Sequence, residues 1–298
     1  MMTRIIKAIG FILRKSGIFQ LAYSFYFRHR SGILCYHDPT PDVFRLHADF
    51  LSQYFSFISL DELAGSRDKR KIPVNTLAVT LDDGHKDNCR LLPLFRHFAI
   101  LPTIYLCTGL VGTNRAMWTT RITDKRSIKQ FKNLSNQQRK SVMKKKYNFN
   151  ERQEYEERSM LNHDEIALMM DNVDFQSHTR FHSVLDSCTH DELEAEIAGS
   201  YEDVQAITGK PCRHFAYPYG IYGKREKDIV QKTGYTTSRS VRWGWISRLR
   251  GPYELPCIFI PDQAGIDELV AHLCGFGLLQ LAWARTYRLV TGMLKLET

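Results

Sequence analysis

Residues 76–81 read TLAVTL, an apolar and β-branched run with no polar alternation. A strand with one wet face alternates polar and apolar residues. One that does not is buried on both faces, and such strands belong to parallel sheets covered by helices. The rest of the chain keeps to this plan. Strands are predicted at 32–37 (GILCYH), 102–107 (PTIYLC), 173–178 (VDFQSH), 213–220 (RHFAYPYG, running into a turn) and 254–260 (ELPCIFI). Helices are predicted between them at 43–55, 85–98, 163–171, 191–209 and 225–235. A short strand at FIS enters a further helix with Ser59 as its cap. Alternation of this kind means an α/β protein with a mostly parallel sheet, and a barrel and an open sheet both satisfy it. In either, chemistry gathers at the carboxyl ends of strands. The polar, basic stretch from Leu110 to Leu161 breaks the alternation and reads as an insertion.

Charge narrows the partners. The chain carries a net +9, yet from Met1 to His37 it has no acidic residue, while Arg4, Lys7, Arg14, Lys15, Arg28 and Arg30 are basic. A second basic stretch runs from Arg115 to Arg152. No nucleic-acid-binding motif is present, so an anionic membrane surface or an acidic substrate is expected rather than nucleic acid. Ile5, Ile6, Ile9, Ile12 and Leu13 recur at helical spacing among the basic residues. Such a helix either lies on an anionic membrane or packs on the protein's own body. The C-terminal stretch from Glu268 is apolar and carries Arg285, Arg288 and Lys295, with no further acidic residue until Glu297. The N-terminal apolar runs are too short to span a bilayer and lack a cleavage site. Seven cysteines without a CxxC pair suit free thiols in a reducing compartment. These features lead to the expectation of a cytoplasmic protein resting peripherally on a membrane, with secretion or a periplasmic location as the alternative.

Three strand ends carry reactive groups. The buried run 76–81 delivers Asp82 and Asp83 side by side and turns at once at Gly84. SHTRFHS places His178 and His182 four apart, a spacing that faces one way on a helical turn and can share a metal. FAYPYG forces a tight turn at a third strand end. Two histidines and one carboxylate leave coordination positions open for water and substrate. A second carboxylate beside them can take a proton from that water. One aspartate of the doublet then serves the metal and the other the proton, a machine for acyl hydrolysis.

TLDDGHKDN, SHTRFH and FAYPYG, in this order and spacing, resemble the motifs of the polysaccharide deacetylases of carbohydrate esterase family 4. The flanks ILCYHD, FISLDEL, LPTIYLCTGLVG and KTGY resemble members from polysaccharide-modifying systems. The resemblance covers residues 31–262, with the insertion at about 111–160. It leaves a basic amphipathic segment at 1–30 and an apolar helical segment at 263–298. It implies an irregular (β/α) barrel. It also implies Asp82 as the base, Asp83, His178 and His182 as ligands of one divalent metal, with zinc the expected ion, and the Pro218–Tyr219 turn as the oxyanion site. Two departures stand out. The family arginine two residues before the motif proline is Ala216 here, and Arg213 is the nearest basic residue in sequence. The general-acid histidine of the L-x-H motif is missing from LPCIF, and the resemblance of CYHD to poly-N-acetylglucosamine deacetylases implies His37 in its place. His85 stands where the family has tyrosine and is expected on the helix after the site. His163, His190 and His214 have no partner at ligand spacing, and Trp243 and Trp245 read as core.

The function this implies is metal-dependent removal of N-acetyl groups from amino sugars of a polysaccharide or glycolipid. One alternative keeps the chemistry and acts as a deformylase or deacetylase on a lipid-phosphate-linked sugar. The other is a non-catalytic glycan-binding barrel, against which the intact Asp82, Asp83, His178 and His182 set argues.

Overall fold

The structure, a computed structural model, describes residues 2–64, 73–247 and 251–278. Eight strands are present among them: β1 Ser31–Tyr36, β2 Ser56–Phe57, β3 Thr76–Leu81, β4 Thr103–Leu106, β5 Asp174–Ser177, β6 His214–Ala216, β7 Thr237–Trp243 and β8 Leu255–Phe259. Their order is β1-β8-β7-β6-β5-β4-β3-β2, and a further pairing of β1 with β3 closes the sheet into a barrel. Every pairing is parallel. Seven strands form the ring. The two-residue β2 lies outside it, against Thr76 and Leu77, while β4 takes the far end of the same edge at Thr80 and Leu81. That shared edge is the irregularity of this barrel.

Residues of β1 and β3 are buried on both faces, as their sequences require. Ile33, Cys35, Ala78, Tyr105, Ala216 and Cys257 pack together with Leu60 and Leu63 of the helix Leu60–Ala64. That helix begins as its sequence foretold: Ser59 N–H donates to Glu62 Oε2 at 2.8 Å and Glu62 N–H to Ser59 Oγ at 3.1 Å, a reciprocal cap. Leu34, Tyr36, Leu77, Val79 and Leu81 belong to the larger cluster that also takes in Leu51, Leu92 and Phe95 of the surrounding helices.

β7 has no counterpart in the sequence reading. Its buried half is Thr237, Ser238, Arg239 and Ser240, polar residues that carry no strand-like hydrophobic signal. The helix expected at 85–98 is a 3-10 segment, Lys86–Leu91, followed by a short α-helix, Leu92–His97. The insertion holds two helices, Lys125–Lys132 and Asn136–Tyr147.

The N-terminal helix Met2–Lys15 docks on the helix Ile266–Leu273. Ile6 and Gly10 are buried there, and Arg14 Nε meets Asp267 Oδ1 at 2.8 Å. A Cβ on Gly10 would sit 1.6 Å from the Asp267 carbonyl oxygen, so only glycine permits this approach. The apolar C-terminal stretch predicted to follow lies, from residue 279, outside the described residues. No helix among the described residues is long and apolar enough to cross a membrane. All seven cysteines are unpaired.

Candidate active site

The alternation of β3 turns Ala78 and Thr80 to one face, and continuing it delivers Asp82 to the barrel mouth. The chain then reverses. Asp83 has φ 74° and Gly84 φ 75°, and a Cβ on Gly84 would meet Leu106 Cδ2 at 2.7 Å. Asp83, His178 and His182 are all buried, and their ligand atoms lie within 4.8 Å of one another. Oδ1 of Asp83 is 3.5 Å from His178 Nε2 and 3.3 Å from His182 Nε2, so neither imidazole makes a close hydrogen bond to it. His178 Nδ1 donates to the Ala216 carbonyl at 2.8 Å, which fixes its tautomer and leaves Nε2 a lone pair. His182 Nδ1 is buried without a partner. Burial holds His178 below its ordinary range and pushes His182 down to about 3, so both rings are neutral at physiological pH. Three buried donor atoms converging in this state fit a divalent cation.

The histidine pair is not on a helical turn, contrary to the simplest reading of its spacing. The loop after β5 is irregular, with Thr179 at φ 70° and His182 at φ 54°. Glu196, on the helix His190–Thr208, dictates its path. Its carboxylate accepts from Arg180 N at 2.9 Å, Phe181 N at 3.0 Å and Ser183 Oγ at 2.7 Å. His182 N–H adds a bond to Thr179 Oγ1 at 3.0 Å. Burial raises the Glu196 carboxyl in spite of these donors.

Asp82 is paired with the fully buried guanidinium of Arg239 through Oδ1, and the Cys35 thiol lies 3.5 Å from Oδ2. Burial opposes the charge on Asp82, but Arg239, then His178 and His37, hold its carboxyl below the usual range. Arg239 is thus the arginine that steadies this aspartate. Arg213 is not: it pairs at the surface with Asp61 at 2.5 Å. Sequence reasoning missed Arg239 because 157 residues separate it from Asp82 and because β7 was not recognised.

His85 is also drawn into the site. It precedes the 3-10 segment, and its Nε2 lies 3.3 Å from Asp83 Oδ2. Burial works against the His85 charge, yet Asp83 raises its pKa overall. Burial likewise opposes the charge on Asp83, which is nonetheless held well below the usual carboxylate range. The groups that hold it there are His182 first, then His85, His37 and His178.

His37 follows β1, half-buried. Its N–H donates to Asp262 Oδ1 at 3.0 Å, and its ring meets Phe259 edge-on at 5.6 Å. It is close enough to bias the charges of both Asp82 and Asp83. Pro218 is buried, and Tyr219 follows it at φ 59° with its ring 4.4 Å from that of His182. The insertion covers this side. Trp118 packs on Tyr219, and Lys132 Nζ stands 3.5 Å over the Tyr219 ring. Burial brings the Lys132 ammonium down to about 8. A groove of about 880 Å3 opens beside His85 and Asp38, walled by Arg121, Tyr155 and Arg158.

The residues set aside earlier stay outside. His214 is bonded to Thr237 and Asp61, His190 faces Glu194 at the surface, and Trp245 stacks on Phe27 in the core.

A family model described as polysaccharide deacetylase matches residues 69–238. Solved structures share the fold. The deacetylase PplD from Streptococcus pyogenes, in complex with acetate, superposes with TM-score 0.61 at 18% identity over 81% of this chain and 96% of that one. IcaB from Ammonifex degensii gives 0.59 at 18% identity over 82% and 97%. The BpsB deacetylase domain from Bordetella bronchiseptica gives 0.54 at 14% identity over 77% and 95%. No curated protein matches the sequence.

Proposed function

The chain belongs to the polysaccharide deacetylase family, and we propose that Asp83, His178 and His182 hold its metal while Asp82 and His37 move the protons of amide hydrolysis. It is a metal-dependent carbohydrate N-deacetylase. The observation that carries the assignment is the pairing of two unlike carboxylates. Asp83 lies among neutral imidazoles, and Asp82 is tied to a buried arginine. Neighbouring aspartates with different partners suit different tasks.

When bound in this cradle, a divalent ion, for which we propose zinc, acidifies water and polarises the acyl carbonyl. The protein does the rest. Arg239 occupies Oδ1 of Asp82 and leaves Oδ2 facing only a weak thiol donor. Oδ2 is therefore the atom assigned to receive the proton of the attacking water. His37, at the carboxyl end of the neighbouring strand β1, is assigned the proton that the departing amine needs. The left-handed backbone at Tyr219, set by Pro218, is assigned to present an N–H to the developing oxyanion.

The substrate reading is an N-acetylated glycan lying in the groove beside His85. A lipid-linked amino sugar is the second reading, favoured by the basic and apolar surface of residues 4–26. Acetate release from N-acetylglucosamine oligomers, and from the same sugar on a lipid phosphate, tests both. Activity lost to a chelator and restored by zinc supports the assignment. A purified chain that binds no divalent metal and releases no acetate from either would refute it and favour a non-catalytic glycan-binding barrel.

A further inference from the structure

The N-terminal helices show two opposed faces. Toward the barrel, Ile6, Gly10 and Phe19 are buried, and Leu13, Ala22 and Tyr23 pack at the edge of the core. Away from it, Ile5, Phe11, Ile12, Ile18, Leu21, Phe25 and Tyr26 are exposed. Among the described residues these seven are half of the fourteen large apolar side chains left in solvent, though they occupy only 22 positions of the chain. Leu21 is 60% and Phe25 80% exposed. Ile18, Leu21 and Phe25 follow the i, i+3, i+7 pattern of a single helix face. Scattered exposed apolar residues need no explanation, but a contiguous run on one face does.

Charge identifies what covers it. Arg4, Lys7, Lys15 and Arg28 are exposed among these apolar groups, and no carboxylate occurs before Asp38. A protein partner with an apolar face would be repelled by none of this but would gain nothing from unpaired cations. An anionic lipid surface takes both: phosphates for the basic groups, and the acyl boundary for Phe11, Leu21 and Phe25. The first helix cannot swing free to span a membrane, because Gly10 locks it against Asp267 and Arg14 adds an ion pair. It can only lie flat.

We propose that residues 4–28 form a preformed docking face by which the folded enzyme rests on an anionic membrane. This inference stands apart from the deacetylase assignment, since none of its residues touches the active site.

The test is sedimentation of the full-length protein with vesicles. One set is phosphatidylcholine alone, and the other is two parts phosphatidylcholine to one part phosphatidylglycerol. The wild type is expected to sediment with the anionic vesicles, to stay in solution with the neutral ones, and to be released by high salt. Each basic residue contributes about a fivefold gain in partitioning at low salt, so Arg4→Glu, Lys7→Glu, Lys15→Glu together should abolish binding. Leu21→Ser, Phe25→Ser should weaken it by about tenfold or more. Both variants should release acetate from soluble oligosaccharide at the wild-type rate, which shows that they fold. Wild-type protein that ignores anionic vesicles overturns the proposal. If light scattering then reveals a dimer that Leu21→Ser, Phe25→Ser dissociates, the face is a contact between copies. A monomer that ignores vesicles means that the face is covered by the chain's own remaining residues. Variants that bind as tightly as the wild type also overturn the proposal.

Discussion

Replacing Arg239 with glutamine isolates the ion pair on which the proposed base depends. The guanidinium side chain is 1% and the Asp82 side chain 4% exposed, so solvent screens neither. Desolvation is the largest influence on the Asp82 carboxyl and raises it, and Arg239 is the first of the groups that lower it. In the wild type the folded carboxyl therefore titrates below its unfolded value. The pair's contribution to stability is present above the ordinary carboxylate range and is lost as pH falls through the folded pKa. Without Arg239, desolvation wins and the sign reverses: the carboxyl titrates above its unfolded value, and the buried charge destabilises the fold at neutral pH. Breaking one side of a buried pair costs about 3–5 kcal/mol, which lowers Tm by on the order of 10 °C in a chain of this size.

A neighbouring arginine shifts a carboxyl by about one to three pH units. The acid limb of the kcat/KM profile should therefore move up by about that much, with a loss of up to about severalfold near pH 6 that deepens as pH falls and recovers at higher pH. The assay is acetate release against pH for wild type, Arg239→Gln and Arg239→Lys, with Tm read at each pH. The lysine variant keeps the charge but loses the planar fork, so its limb should move less. It also serves if the glutamine variant fails to fold. An unmoved acid limb in Arg239→Gln, with Tm unchanged, would refute the role given to this residue.

Four other outcomes are expected. His178→Ala, His182→Ala should lose the bound metal along with activity, measured by metal content after gel filtration, and near-stoichiometric zinc in that variant would contradict the site. Asp82→Asn should keep the metal and lose about 10²–10⁴-fold in kcat, because the amide cannot accept the water's proton. His37→Ala should slow hydrolysis of a sugar amide far more than that of an aryl amide, whose amine departs with little protonation; equal losses would argue against proton donation. Glu196→Ala leaves the Arg180 and Phe181 amides without their acceptor and should weaken metal binding by about 10–100-fold. Glu196→Gln should restore most of that affinity, since its carbonyl oxygen can still accept from both amides while its NH2 faces the hydroxyl of Ser183.

How much of this could be read from the chain follows from where each signal lies. β1 and β3 were legible because burial on both faces leaves an unbroken apolar run. β7 was not, because Arg239 answers the buried carboxylate of Asp82 while Ser238 and Ser240 beside it bond to Tyr217 and to backbone carbonyls, and polar residues inside a strand look like a loop. The aspartate doublet and the histidine pair were legible as residue types at ligand spacing. The backbone that aims them was not: the four-residue spacing suited a helical turn, whereas the loop is set by Glu196, a residue 14 positions further on whose helix gives no local sign of the contact. His85 was of the right type, but its approach to Asp83 depends on the reversal at Gly84, and one-dimensional spacing does not record that.

The positive-φ residues connect these observations. Seven residues other than glycine adopt positive φ among the described residues, and four of them, Asp83, Thr179, His182 and Tyr219, lie at the metal cradle or on the turn facing it. Each costs on the order of 1 kcal/mol or more and persists only where surrounding bonds over-determine it. Those bonds are on hand: Cys107 N–H to the Asp83 carbonyl at 3.3 Å, Thr108 N–H to the Thr179 carbonyl at 3.0 Å, and His182 N–H to Thr179 Oγ1. An unstrained backbone leaving β3 or β5 would continue along the strand and carry its side chains past the barrel axis. Left-handed residues at the ends of β3, β5 and β6 fold the chain back over the mouth, so that groups from three strands meet at one point. The strain is thus what converts a ring of parallel strands into a site with three converging ligands, and the buried Glu196 is the group that holds the loop after β5 in place.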